Sequence, residues 1–96
     1  MTIHEIKCDQ RFFGAIVDGT KPFEVRWNDR DYKAEDMLLI HETRMEASPR
    51  HADMARRVLT GRSVQRRVTY VLKHEDFPEG VPEGWCVLGL SDRAAR

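Results

Sequence analysis

Pro22-Phe23-Glu24-Val25-Arg26-Trp27 alternates apolar and charged side chains, the period of a β-strand. Phe23, Val25 and Trp27 share one face of such a strand, and Glu24 and Arg26 share the other. The aromatic face is expected to turn toward a core, with Trp27 and Trp85 inside it, while the acid and the guanidinium turn outward.

Upstream, residues 3–8 read as a first strand, and Asp9 has the chemistry of a helix N-cap. Phe12, Phe13, Ile16 and Val17 then repeat at helical spacing, predicting a helix over 10–18 closed by Gly19. Downstream, Asn28-Asp29-Arg30-Asp31 is turn chemistry, and Met37-Leu38-Leu39-Ile40-His41 is a strand apolar enough to be buried on both faces. Ser48-Pro49 is a helix-start signal. Ala52, Ala55, Val58 and Leu59 follow at helical spacing, predicting a helix over 49–59 within an insertion spanning 44–61. Residues 63–73 and 85–90 supply the last two strands, joined by an acidic loop with Pro78, Gly80, Pro82 and Gly84. Five strands with one early and one inserted helix predict an α+β domain over residues 1–91, a small, mostly antiparallel β-barrel, with a polar tail at 92–96.

The chain has 96 residues, 41% hydrophobic and 33% charged, with mean hydropathy −0.60. It contains no apolar run of the roughly 18–20 residues that span a bilayer, and its N-terminus lacks the pattern of a secretory signal. The expected location is cytoplasmic, with no membrane partner. Cys8 and Cys86 sit in strand-like stretches and read as buried free thiols. His4, His41, His51 and His74 show no metal-ligand or triad spacing, and no cofactor motif is present. The net charge is zero, but residues 50–73 hold Arg50, Arg56, Arg57, Arg62, Arg66, Arg67 and Lys73 against Asp53 alone. Such a basic segment in a neutral chain suits a polyanion.

At Gly19-Thr20-Lys21-Pro22-Phe23-Glu24-Val25-Arg26 the chain resembles the ASCH domain family, a branch of the PUA-like β-barrels with a Gly-x-Lys-x-x-Glu-x-Arg signature after the first helix. Gly19, Lys21, Glu24 and Arg26 fill every signature position. It is most similar to small phage and bacterial ASCH-like proteins, whose Thr-Gly-Arg is matched by Thr60-Gly61-Arg62 after the insertion. The resemblance implies a PUA-like barrel and an RNA- or nucleotide-binding role.

In that role Lys21, Glu24 and Arg26 line a polar cleft. Arg26 offers a planar fork, Lys21 a point charge and Glu24 an acceptor for an exocyclic amine. Arg30 and Tyr70 are further candidate ligand contacts, and Trp27, Tyr32 and Trp85 are aromatic groups that can stack on bases. Arg56, Arg57, Arg62, Arg66 and Arg67 are expected to meet phosphates.

The other expectation is a small hydrolase of RNA or modified nucleosides, with Lys21 and Glu24 as catalytic groups. The amidohydrolase branch of the family places a threonine where this chain has Glu24, which removes that hydroxyl, and its distant acid would fall near Glu75 or Asp76. A third expectation is a protein partner docking on residues 49–59.

Overall fold

The computed structural model describes residues 1–50 and 54–91. β1 (Ile3–Asp9) runs straight into α1 (Gln10–Val17), because the Asp9 carboxylate accepts from the Arg11 amide at 2.8 Å and starts the helix. α1 turns Phe13 and Ile16 inward. β2 (Phe23–Trp27), β3 (Met37–Ala47), β4 (Ala55–Lys73) and β5 (Trp85–Leu90) follow. The strands form one sheet in the order β1-β3-β4-β5-β2. β1 lies parallel to β3, and every other pairing is antiparallel.

The sheet is not closed into a barrel, which corrects the expectation of a PUA-like barrel. β1 and β2 are its two edges. Side chains rather than a backbone ladder bridge them: Arg26 donates to the Lys7 carbonyl at 2.9 Å, and Arg30 donates to the Glu5 carbonyl. Two edge carbonyls of β1 thus find partners that a closed ladder would otherwise have supplied.

α1 is the one helix among the described residues, so the α+β reading with two helices is also corrected. Residues 55–59 are strand rather than helix, and 51–53 lie outside the described residues. β3 and β4 pair from Thr43↔Leu59 out to Ala47↔Ala55, forming a two-stranded arm. The pairing sets Arg56 opposite Glu46 and lets Arg57 reach Asp9 at 3.4 Å. A local helical spacing gives way here to cross-strand pairing with β3. The helix expected over 49–59 is therefore absent from the described residues of that span. The polar tail at 92–96 lies outside the described residues.

β2 keeps its predicted alternation but with the faces exchanged. Glu24 is buried and Arg26 half-buried, while Phe23, Val25 and Trp27 are exposed. The register explains this. Cys86, Leu88 and Leu90 are the buried set of β5, and Glu24 pairs with Leu88 and Arg26 with Cys86. Residues directly opposite on antiparallel strands share a face, so the charged pair of β2 is carried inward. Trp27 and Trp85, expected in the core, meet edge-to-face on the outer surface with centroids 5.7 Å apart. The core itself is Ile6, Cys8, Phe13, Ile16, Tyr32, Leu38, Ile40, Val68, Cys86, Leu88 and Leu90. Met37, Leu38 and Ile40 are buried as their apolar run predicted.

Candidate ligand cleft

The cleft begins where α1 ends. Gly19 adopts φ +86, a region that costs other L-residues strain, and no atom lies near the position a Cβ would take. The signature needs glycine there for its backbone conformation and not for space. The Lys21 amide then donates to the Ala15 carbonyl at 2.9 Å, and the chain turns into β2.

Glu24 sits at the centre of the site with 6% of its surface exposed. Its Oε1 accepts from Lys21 Nζ at 2.9 Å and its Oε2 from Arg26 Nη1 at 3.2 Å. Lys21 Nζ also donates to the Phe23 carbonyl at 3.0 Å, and it lies 5.0 Å from the Phe23 ring centroid and 5.5 Å from that of Phe12. One carboxylate between two cations leaves the triplet with an excess positive charge. Both aromatic rings present their faces to the Lys21 ammonium, an arrangement that attracts a cation.

A cleft of about 380 Å³ opens beside this triplet, lined by Lys7, Cys8, Asp9, Phe12, Lys21, Glu24, Val25 and Arg57. Arg57 enters from the β3–β4 arm, anchored by Thr43 Oγ1 at 2.8 Å and Asp9 Oδ2 at 3.4 Å. The Arg11 amide and side chain, with Arg57, hold the Asp9 carboxyl below the usual carboxylate range. Burial, reinforced by the Glu24 charge, pushes the Cys8 thiol up to about 11 despite Lys21 and Arg26 nearby. Cys8 is therefore protonated at neutral pH and is not an activated nucleophile. Among the described residues no group of three or more His, Cys, Asp or Glu side chains is placed to hold a metal ion.

Lys21, Glu24, Arg26 and Arg57 are thus brought together. The other candidates lie elsewhere. Arg30 is engaged with β1, and Tyr70 lines a separate, more open hollow of about 430 Å³ with Tyr32, Lys33, Lys73 and Asp76. Arg66 is buried and donates to the Ile16 and Val17 carbonyls, capping the end of α1. Arg62 pairs with Glu42 and lies over the Phe13 ring, Arg67 pairs with Glu35, and Arg56 approaches Glu46 at 4.0 Å. Lys7, Cys8, Asp9 and Phe12 line the cleft without having been singled out as ligand contacts. The signal for Phe12 was present in the adjacent phenylalanines: a helix can bury only one of two consecutive residues deeply, and α1 buries Phe13. Burial holds the Tyr32 phenol above its usual range, with the Arg26 guanidinium facing it.

No helix among the described residues is long and apolar enough to cross a membrane. The chain is 34% identical over 77 residues to the "uncharacterized 12.9 kDa protein in GpA 3'region" of Escherichia phage P2. That alignment covers 80% of this chain and 61% of the phage protein, so the chain spans less than two thirds of its relative's length. Residues 3–90, which take in all five strands, α1 and every wall of the cleft, match the model of a domain of unknown function, DUF3850. The chain therefore belongs to the DUF3850 family.

Proposed function

We propose that the domain binds a nucleotide, free or as an unstacked residue of RNA, in the cleft between α1, β2 and the β3–β4 arm. The observation that carries this reading is the Lys21–Glu24–Arg26 triplet, its acid buried, opening onto a concavity with Arg57 on one wall and the Phe12 ring on another. The volume of about 380 Å³ falls within the range of small-molecule sites. Lys7, Lys21 and Arg57 supply cations for a phosphate, Phe12 a face for a base, and Glu24 and Asp9 acceptors for exocyclic amines. The similarity of Gly19, Lys21, Glu24 and Arg26 to the ASCH signature supports the same role.

Catalysis by Lys21 has less behind it. Its ammonium is tied to Glu24 and to the Phe23 carbonyl, and the neighbouring thiol is held protonated.

The test is calorimetric titration with nucleoside monophosphates and short single-stranded RNA at low salt. Binding is expected to weaken as salt rises and to fall by tenfold or more in Lys21→Gln and Arg57→Gln. An absence of heat with all of these ligands at millimolar concentration sinks the reading.

A further inference from the structure

Nearly every described acidic side chain has a partner. Glu5 meets His41, Asp9 meets Arg11 and Arg57, Glu24 its two cations, Asp31 meets Lys33 and Glu35 meets Arg67. Asp36, Glu42 and Glu46 also have basic partners, while Asp18 accepts from Thr20 and Asp76 from the Lys73 amide. Among the described residues the exceptions are Asp29, Glu75, Glu79 and Glu83, which are exposed and whose carboxylates make no hydrogen bond or salt bridge.

These four are not scattered. Asp29 lies two residues after Trp27, Glu83 lies two residues before Trp85, and Glu75 and Glu79 belong to the same β4–β5 loop as Glu83. Trp27 and Trp85 stand at 88° to each other with 55% and 38% of their surfaces exposed. The loop is held against them. The Asn28 amide donates to the Gly84 carbonyl at 2.8 Å, and the Trp27 ring lies so close over Gly84 that a Cβ there would come within 2.7 Å of it. Two exposed indoles and four free carboxylates thus share one end of β2 and β5. The two indoles project from the face of β2 opposite Glu24, away from the cations of the cleft.

We propose that this surface docks a basic segment of a protein partner, with Lys or Arg side chains over the indole faces and the carboxylates as counter-charges. Indoles are the strongest aromatic partners for cations, and guanidinium groups stack on them as well as attract them. The local charge opposes a nucleic acid. It also opposes a second copy packed with like ends together, since the four carboxylates would then face each other.

The experiment titrates the protein with a hexa-arginine peptide and follows tryptophan emission, which reports only Trp27 and Trp85 because the chain has no other tryptophan. The expected result is a saturable change in emission that weakens with salt and is absent with hexaglutamate. Glu75→Gln, Glu79→Gln and Glu83→Gln combined should weaken binding tenfold or more, whereas Glu35→Gln, at a paired acid, leaves it unchanged. Calorimetry on Trp85→Leu should show a further loss of roughly threefold to tenfold, with Trp85→Phe intermediate. The three glutamates are exposed and bond to nothing, so their replacement leaves the fold in place. The proposal is overturned by a silent titration, by equal binding in the triple variant, or by affinity indifferent to the indole. It is also overturned by an emission change that follows protein concentration without peptide, or by preferential binding of RNA at these tryptophans. Loss of nucleotide binding through Lys21→Gln leaves this surface untouched, so the two sites fail or stand separately.

Discussion

Glu24 is a buried acid whose burial depends on two neighbours. Removing the carboxylate leaves Lys21 and Arg26 close together with no counter-charge, so Glu24→Ala should cost about 3 kcal/mol in urea unfolding. Glu24→Gln keeps the acceptor and should cost less; equal stability of both variants with the native chain would contradict the triplet's structural role. Asp36 gives a pH dependence. Burial raises its carboxyl, but hydrogen bonds from His4 at 2.8 Å and from the Lys33 amide at 3.0 Å outweigh that and leave it below the usual carboxylate range. A carboxyl depressed on folding stabilises the native state fully above its unfolded-chain value, and the contribution is lost as pH falls through the folded value. Stability measured by thermal melts should therefore decline below about pH 4, and Asp36→Asn should flatten that decline. Gly19→Ala, at φ +86 in open space, should cost about 1 kcal/mol, entirely through backbone strain.

At the scale of elements, α1 and the β3–β4 arm depend on the rest of the sheet to different degrees. α1 buries Phe13 and Ile16, and its C-terminal carbonyls are capped by the buried Arg66 from β4. Arg66→Ala should lower stability by about 2 kcal/mol and speed amide exchange in the last turn of α1 more than elsewhere. The outer arm has no buried residue among 44–47 and 54–58. Replacing residues 46–56 by Asn-Gly, with Arg57 retained, should change the unfolding free energy by no more than about 1 kcal/mol. A collapse of the far-UV spectrum on that deletion would show the arm to be integral to the sheet. The arm also shows why a helix was predicted in its place: Ala52, Ala55, Val58 and Leu59 fit a helical stripe, but the pairing of 55–59 with 43–47 of β3 overrides that spacing.

Across the whole molecule, an open sheet has two edges to protect. Arg26 and Arg30 reach across to the outward carbonyls of β1, doing with two guanidiniums what barrel closure does with a ladder. Arg30→Ala should uncover the β1 edge and raise concentration-dependent light scattering at neutral pH, with the melting temperature falling only slightly. Charge divides between two ends as well. Lys7, Lys21 and Arg57 face the cleft, whereas the unpaired acids gather beside Trp27 and Trp85, so a chain of zero net charge presents two surfaces of opposite sign.

Asp9 before an apolar helical repeat, Gly19 after it, and period-two alternation in β2 were determined by the sequence, since caps, positive φ and strand period are local chemistry. The convergence of Lys21, Glu24 and Arg26 was legible for the same reason, their spacing across one turn and one strand. Which face of β2 turned inward was decided by tertiary structure. Both faces of β5 are apolar, and only its pairing with β2 chose Cys86, Leu88 and Leu90 for the core, drawing Glu24 and Arg26 in and leaving the tryptophans outside. Whether the sheet closed was decided there too, because strand order and the parallel pairing of β1 with β3 depend on contacts between residues more than thirty positions apart.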